Sequence, residues 1–223
     1  MFKLLYKAKI HNKIQNLNNI YTNKIRNKSF KDSLADTLTT IAISIGLFVF
    51  ITTFIVTPNQ VEGMSMSPNF ETGDIILTNR LSYWIGQTEV GKLLHLDYQR
   101  GDVIVFKKPN NHDLIKRIIG LPGENIAIRN GKVYINGKEL KEKYLPENVY
   151  TTGHSFIQNN GKEILIQPNT YVVMGDNRQD SHDSRYLDIG LVKREWIKGK
   201  VILRYWPINK FGIIYSGQFN FEE

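Results

Sequence analysis

Hydrophobic and polar positions follow three different patterns along the chain, and each predicts a different kind of element. In the first, Phe2, Tyr6, Ile10, Ile14, Leu17, Tyr21 and Ile25 recur every three or four residues, the spacing of one helix face. Six asparagines between positions 12 and 27 weaken such a helix, although no glycine or proline interrupts it. In the second, residues 37–61 carry no charge and residues 38–56 are mostly apolar. Those nineteen residues, at about 1.5 Å each, cover roughly 28 Å, the hydrocarbon thickness of a bilayer. A transmembrane helix is therefore expected over residues 37–57. A cleavable signal peptide would have an apolar core of about 7 to 15 residues and a shorter basic region.

The third pattern fills the rest of the chain with short β-type runs at 75–77, 103–106, 114–119, 126–128, 133–135, 164–166, 171–174 and 201–206. Asn-Gly pairs stand at Asn130-Gly131, Asn136-Gly137 and Asn160-Gly161. They are strong hairpin signals, because a tight primed turn needs positive φ at both central residues. The expected fold is mostly β: an antiparallel β domain over residues 58–223, with a smaller hairpin-rich insertion at 136–169, preceded by the transmembrane helix and a basic segment over residues 1–36. Helix beyond the span is limited to about one turn near 193–197. The aromatic cluster at 81–85 reads as core, with a place at the bilayer interface as the alternative.

Charge sharpens this division. The net charge is +8 over 223 residues, but residues 1–36 hold eight Lys and Arg against Asp32 and Asp36. That tail accounts for +6 and leaves +2 for the rest. Basicity confined to the tail, with no nucleic-acid motif in the body, argues against a DNA or RNA partner. A basic amphipathic tail beside a span fits an anchor lying on an anionic membrane surface, or else a solvated arm. By the positive-inside rule the N-terminus is cytosolic and the β domain lies outside. No cysteine is present, which excludes a thiol nucleophile, a disulfide framework and cysteine-ligated metal. The five histidines are scattered, so neither a metal site nor a cofactor is expected.

Candidate chemistry begins at Val61-Glu62-Gly63-Met64-Ser65-Met66-Ser67-Pro68, where Ser65 occupies a small-residue turn nine residues beyond the apolar run. A serine hydroxyl needs a base. Lys116 stands among Leu114, Ile115, Ile118 and Ile119, where desolvation would disfavour the ammonium form. At the reference pKa of about 10.4, only roughly one lysine in a few thousand is neutral at pH 7, so burial is what would make this amine a base. Each residue also has an ordinary reading, Ser65 as a turn residue and Lys116 as a solvated edge-strand charge. A third polar segment runs from Gly175 to Arg185, G-D-N-R-Q-D-S-H-D-S-R, directly after the 171–174 strand. His182 beside Asp183 does not make a good triad with Ser65, since neighbours on an extended run point to opposite faces.

Four blocks then occur in order: S-M-S-P at Ser65 to Pro68, R-G-D-V at Arg100 to Val103, K-R-I-I-G-L-P-G at Lys116 to Gly123, and G-D-N-R with D-S-R between Gly175 and Arg185. Together they resemble the bacterial type I signal peptidases. The resemblance implies a catalytic β core with a smaller β-rich lobe, and a membrane-bound serine endopeptidase that removes signal peptides at sites with small residues one and three positions before the cut. On that mapping Ser65 is the nucleophile and Lys116 the general base. Ser181 would hydrogen-bond and orient the lysine, and Asp183 and Arg185 would form a supporting salt bridge. Some members carry a serine two positions before the nucleophile to help bind the oxyanion; here Gly63 stands there, as in other members. Ile115 is a candidate wall of the substrate site. The implied partners are signal peptides of exported preproteins and the lipid bilayer. Two alternatives stay open from sequence: a non-catalytic anchored β module that binds exported chains, and a peptidase dedicated to one pilin or conjugation protein.

Overall fold

The computed structural model describes residues 11–21, 30–94, 96–108 and 112–221. Of the amphipathic tail, residues 11–21 form helix α1, on which Ile14, Leu17, Ile20 and Tyr21 are all exposed; its remaining positions lie outside the described residues. The apolar run forms helix α2 (Phe30–Phe50), continued by a wider helical turn at Ile51–Ile55. Within Asp32–Ile55 an 18-residue window reaches a mean hydropathy of 2.2, and among the described residues this is the helix long and apolar enough to cross a bilayer. Helix thus begins earlier than residue 37 and ends at 55. Its hydroxyls are satisfied internally: Thr37, Thr39, Thr40 and Ser44 each donate to the carbonyl four residues back, at 2.8 to 2.9 Å. Such back-bonding is what a hydroxyl needs where no water is at hand.

From Ile51 onward the chain forms a second unit. Its larger sheet runs in the order β1 (Val56–Gln60), β2 (Ile75–Asn79), β11 (Ile197–Trp206), β3 (Val103–Lys107), β4 (Asp113–Gly120), β9 (Thr170–Met174), β10 (Val192–Lys193), with β12 (Gly212–Ile213) also pairing β11. A smaller sheet runs β13 (Phe219–Phe221), β7 (Lys138–Glu142), β6 (Lys132–Ile135), β5 (Asn125–Arg129), β8 (Ile164–Leu165). Every strand pairing is antiparallel. Strands β5 and β6 place the start of the smaller sheet at Asn125, ahead of the expected 136–169 stretch, and β13 brings it a strand from the far end of the chain. The Asn130-Gly131 and Asn136-Gly137 turns have positive φ at both residues (48° and 77°, 51° and 80°) and close the β5–β6 and β6–β7 hairpins. At Asn160-Gly161 only Gly161 has positive φ, 73°.

The two sheets share a buried cluster. Ile126, Ile128, Val133, Ile135 and Leu140 of the smaller one join Ile119, Val172 and Met174 of the larger. Another cluster, Val61, Met66, Phe70, Ile76, Val103, Val105 and Val201, lies under the turn that carries Ser65. The 81–85 cluster is not core. It forms a short helix α3 (Leu81–Ile85), in which Ser82 is buried while Tyr83 and Trp84 are 40% and 52% exposed. A second short helix, α4 (Glu89–Leu93), follows, capped by Thr88, whose hydroxyl accepts from the Gly91 N–H. The helical turn expected near 193–197 is a 3-10 turn at Arg194–Trp196.

Candidate active site

Ser65 lies in a turn pinned from below by its apolar neighbours. Met66 and Phe70, four residues apart, are 1% and 2% exposed, and the Phe70 N–H donates to the Met66 carbonyl at 2.9 Å. Burying those two side chains fixes the turn and leaves Ser65 half-buried with Met64 exposed. Lys116 sits on β4, which lies between β3 and β9 in the sheet and is not an edge strand. It pairs across to Ile104, and it is 3% exposed. Its Nζ lies 2.7 Å from Ser65 Oγ and donates to the Ile115 carbonyl at 2.9 Å. Burial dominates its titration and pushes the amine down from 10.5 to about 8, although the charges of Asp183 and Asp176 pull the other way.

Sheet register brings the third polar segment to the same place. Arg117 pairs with Met174, so the chain leaving β9 enters Gly175 alongside Lys116. Gly175 is packed so tightly that a Cβ there would lie 2.2 Å from Ser181 Oγ and 2.3 Å from the Ser65 carbonyl oxygen. Only glycine fits between them. The Gly175 N–H donates to Asp183 Oδ2 at 3.0 Å.

The Ser181 hydroxyl also donates to Asp183 Oδ2, at 2.7 Å, instead of bonding Lys116 as expected. Among the described residues, the amine's hydrogen-bond partners are Ser65 and Ile115. The Ser181 proton goes to a buried carboxylate, a strong acceptor. Asp183 and Arg185 form a bidentate pair, with Nε to Oδ1 and Nη2 to Oδ2 both at 2.8 Å and both side chains fully buried. Burial alone would raise the Asp183 pKa, but the Arg185 hydrogen bonds and charge, the Gly175 N–H and the Ser181 hydroxyl together hold it below the usual carboxylate value.

Arg185 in turn donates to the carbonyls of Arg178, Ser181 and Thr152. His182 turns away from Asp183 and contacts Asp188, with Nε2 at 2.6 Å from Oδ2, while its ring lies 4.3 Å from that of Tyr186. Gly63 has φ +83° with nothing within 4 Å of where a Cβ would be. Ile115 is half-buried and packs on the cluster beneath Ser65.

Sequence reasoning left several contributors without a role. Asp176, from the G-D-N-R block, makes a buried bidentate pair with Arg117, Oδ1 to Nε at 2.8 Å and Oδ2 to Nη2 at 2.6 Å. Asn69 donates to the same Oδ2 at 2.9 Å, which ties the Ser65 turn to β4 and to the 175–185 segment. Arg178 donates to Glu142 and to Thr151, linking that segment to the smaller sheet. A run of alternating charges following a strand was the available signal; buried ion pairs are its physical explanation.

A family model described as signal peptidase, peptidase S26, matches residues 34–206. Signal peptidase IB of Staphylococcus aureus (strain Mu50) is 36% identical over 168 residues, covering 71% of this chain and 82% of that protein. Signal peptidase I of Bacillus caldolyticus is 38% identical over 164 residues, covering 71% and 84%. Among solved structures, a signal peptidase I from Enterococcus faecalis V583 shares 35% identity over 47% of this chain and 96% of its own, with a TM-score of 0.38. The chain is thus a hydrolase of the serine peptidase class with an antiparallel β body. It belongs to the signal peptidase family, peptidase S26.

Proposed function

We propose that this protein cleaves signal peptides from exported preproteins at the outer face of the membrane, with Ser65 as nucleophile and Lys116 as general base. The observation that carries this reading is the 2.7 Å approach of Ser65 Oγ to a buried Lys116 Nζ whose pKa is lowered to about 8. At neutral pH an appreciable share of such an amine is uncharged and can accept the hydroxyl proton. Oγ then attacks the scissile carbonyl, and the charge that develops on its oxygen meets the Ser65 backbone N–H. Gly63 opposite leaves space and offers no hydroxyl. Collapse of the intermediate breaks the C–N bond, and Lys116 passes its proton to the departing amine. Water, deprotonated by Lys116, then attacks the acyl-enzyme and returns Oγ to the hydroxyl state. Ile115, on the same strand as the base, forms a wall for a small side chain. Asp183, Arg185 and Ser181 hold the 175–185 segment in place behind the pair.

The bilayer is part of the reading. A basic N-terminal segment, a helix of spanning length and a nucleophile nine residues past residue 56 would place the peptidase unit outside, close to the plane in which a signal peptide ends. The β11–β12 hairpin supports this with exposed Trp206, Ile208, Phe211, Ile213 and Tyr215, a set suited to the membrane interface.

The test compares wild type, Ser65→Ala and Lys116→Ala in detergent on a precursor bearing an alanine-x-alanine site. Cleavage after that site by wild type, with two folded but inactive variants, is the expected result. Near-normal cleavage by Lys116→Ala would place the base elsewhere, and a wild type inert on all precursors would return weight to a binding module.

A further inference from the structure

The mechanism depends on a single peptide plane. The bond joining Met64 to Ser65 carries, on one side, the N–H that meets the oxyanion and, on the other, the Met64 carbonyl. In a planar trans peptide these two groups point in opposite directions, so fixing the carbonyl fixes the direction of the N–H. Among the described residues the cis bonds are Ser67-Pro68 and Trp206-Pro207, so this plane is trans.

Two donors hold the Met64 carbonyl. One is local, the Ser67 N–H at 3.1 Å. The other comes from 113 positions along the chain: Asn177 Nδ2, at 3.2 Å. Asn177 also reaches the next carbonyl, since its own N–H donates to the Ser65 oxygen at 3.0 Å. It therefore grips the backbone on both sides of the nucleophile's Cα. Its amide is itself oriented, because Oδ1 accepts from the Asp180 N–H at 3.2 Å and so turns Nδ2 toward Met64.

We propose that Asn177 is a positioning residue for the oxyanion site: its side-chain amide, by holding the Met64 carbonyl, aims the Ser65 N–H at the developing negative charge. The proposal rests on Ser65 being the nucleophile. It also gives Asn177 a task of special weight here, since Gly63 supplies no second hydroxyl donor and the directed N–H carries more of the stabilisation. The contact matters little to substrate in its ground state and most when charge builds on the carbonyl oxygen.

Asn177→Asp tests this cleanly. The carboxylate keeps the size of the side chain, the acceptor for Asp180 and the backbone N–H to Ser65, but it cannot donate to Met64. On an alanine-x-alanine precursor, with full-length enzyme in detergent, kcat should fall roughly 10- to 100-fold while KM stays within about twofold, short of the loss expected from removing a donor outright. A peptide aldehyde, which forms a tetrahedral adduct on serine, should lose affinity in proportion to kcat/KM. Asn177→Ala, measured alongside, should show the same split, and it takes over the test if the aspartate variant does not fold. Equal loss in kcat and in KM, or aldehyde affinity unchanged while turnover falls, would make Asn177 a general structural residue and overturn the proposal. So would wild-type turnover in a folded variant. A Ser65→Ala control separates the two levels: activity retained there defeats the nucleophile assignment itself, whereas an inactive Ser65→Ala beside a fully active Asn177→Asp defeats only this inference.

Discussion

At the scale of single residues, the site depends on holding an amine where water would not leave it neutral. Between about 8 and 10.5 the folded chain binds fewer protons at Lys116 than the unfolded chain does, so stability rises with pH across that window. Below pH 8 the full cost of burying the ammonium is present. That cost is about 3 kcal/mol from the two values. Lys116→Met, similar in length and uncharged, should therefore stabilise the protein at pH 7 by up to about 3 kcal/mol while abolishing cleavage. The gain should shrink toward zero near pH 10.5, and denaturant melts at pH 7 and pH 10 would reveal it. A Lys116→Met protein less stable at pH 7 than wild type would mean that the amine's two hydrogen bonds outweigh its desolvation.

Asp183 is the opposite case. Replacing it with asparagine leaves Arg185 charged and buried, a loss of about 3 to 5 kcal/mol. In the fraction that folds, Lys116 also loses an attractive charge, so its pKa should fall further and the acid limb of activity should move to lower pH. Unchanged melting in Asp183→Asn would contradict the pairing described above.

At the scale of elements, the glycine that opens the 175–185 segment is where sheet and site meet. Gly175→Ala puts a methyl group 2.2 Å from Ser181 Oγ and 2.3 Å from the Ser65 oxygen, and one of them must move. Overpacking of this kind costs roughly 1 to 3 kcal/mol, and cleavage should fall more than tenfold, because one atom at risk is the carbonyl of the proposed nucleophile and the other belongs to the segment behind it. A folded Gly175→Ala with normal turnover would show that the segment can retreat.

How far such elements could be read from sequence varied with the strength of their local signal. Strands β3, β4 and β9 are apolar runs with turn flanks, and they appeared within a residue or two of their ends. Strand β7, Lys138–Glu142, has almost no apolar character and exists because the Asn136-Gly137 turn folds it back on β6. Strand β1 contains Pro58, and its first two residues read as the end of the span; its place at a sheet edge makes the missing N–H tolerable. Ser65, Lys116 and the 175–185 segment were legible because the blocks that hold them resemble, in order, those of the signal peptidases. The buried Arg117–Asp176 pairing beside them was not, since its members stand 59 positions apart and meet only through the β4–β9 register.

At the scale of the whole molecule, charge, span and catalytic unit are laid out in chain order, and the proposed topology follows from that order. Protease added to the outside of wall-stripped cells should digest the β unit and spare the N-terminal tail, as antibodies to tags at each end would report. Protection of the C-terminal tag would reverse the orientation. The smaller sheet was only partly legible at this scale. A sequence reader sees residues 136–169 as an insertion, whereas the sheet begins at Asn125 and closes with Phe219–Phe221, a pairing between segments 77 or more positions apart that no local pattern encodes.

If a buried lysine, uncharged when it acts, serves as the base for Ser65, the pH dependence of kcat/KM for precursor cleavage must carry its titration. Because the free enzyme's base must be neutral, kcat/KM should rise about tenfold per pH unit on the acid side and level off above a midpoint near 8, the value to which Lys116 is lowered. A profile that is flat from pH 5 to pH 9, or one whose midpoint lies near that of an ordinary histidine, would contradict it.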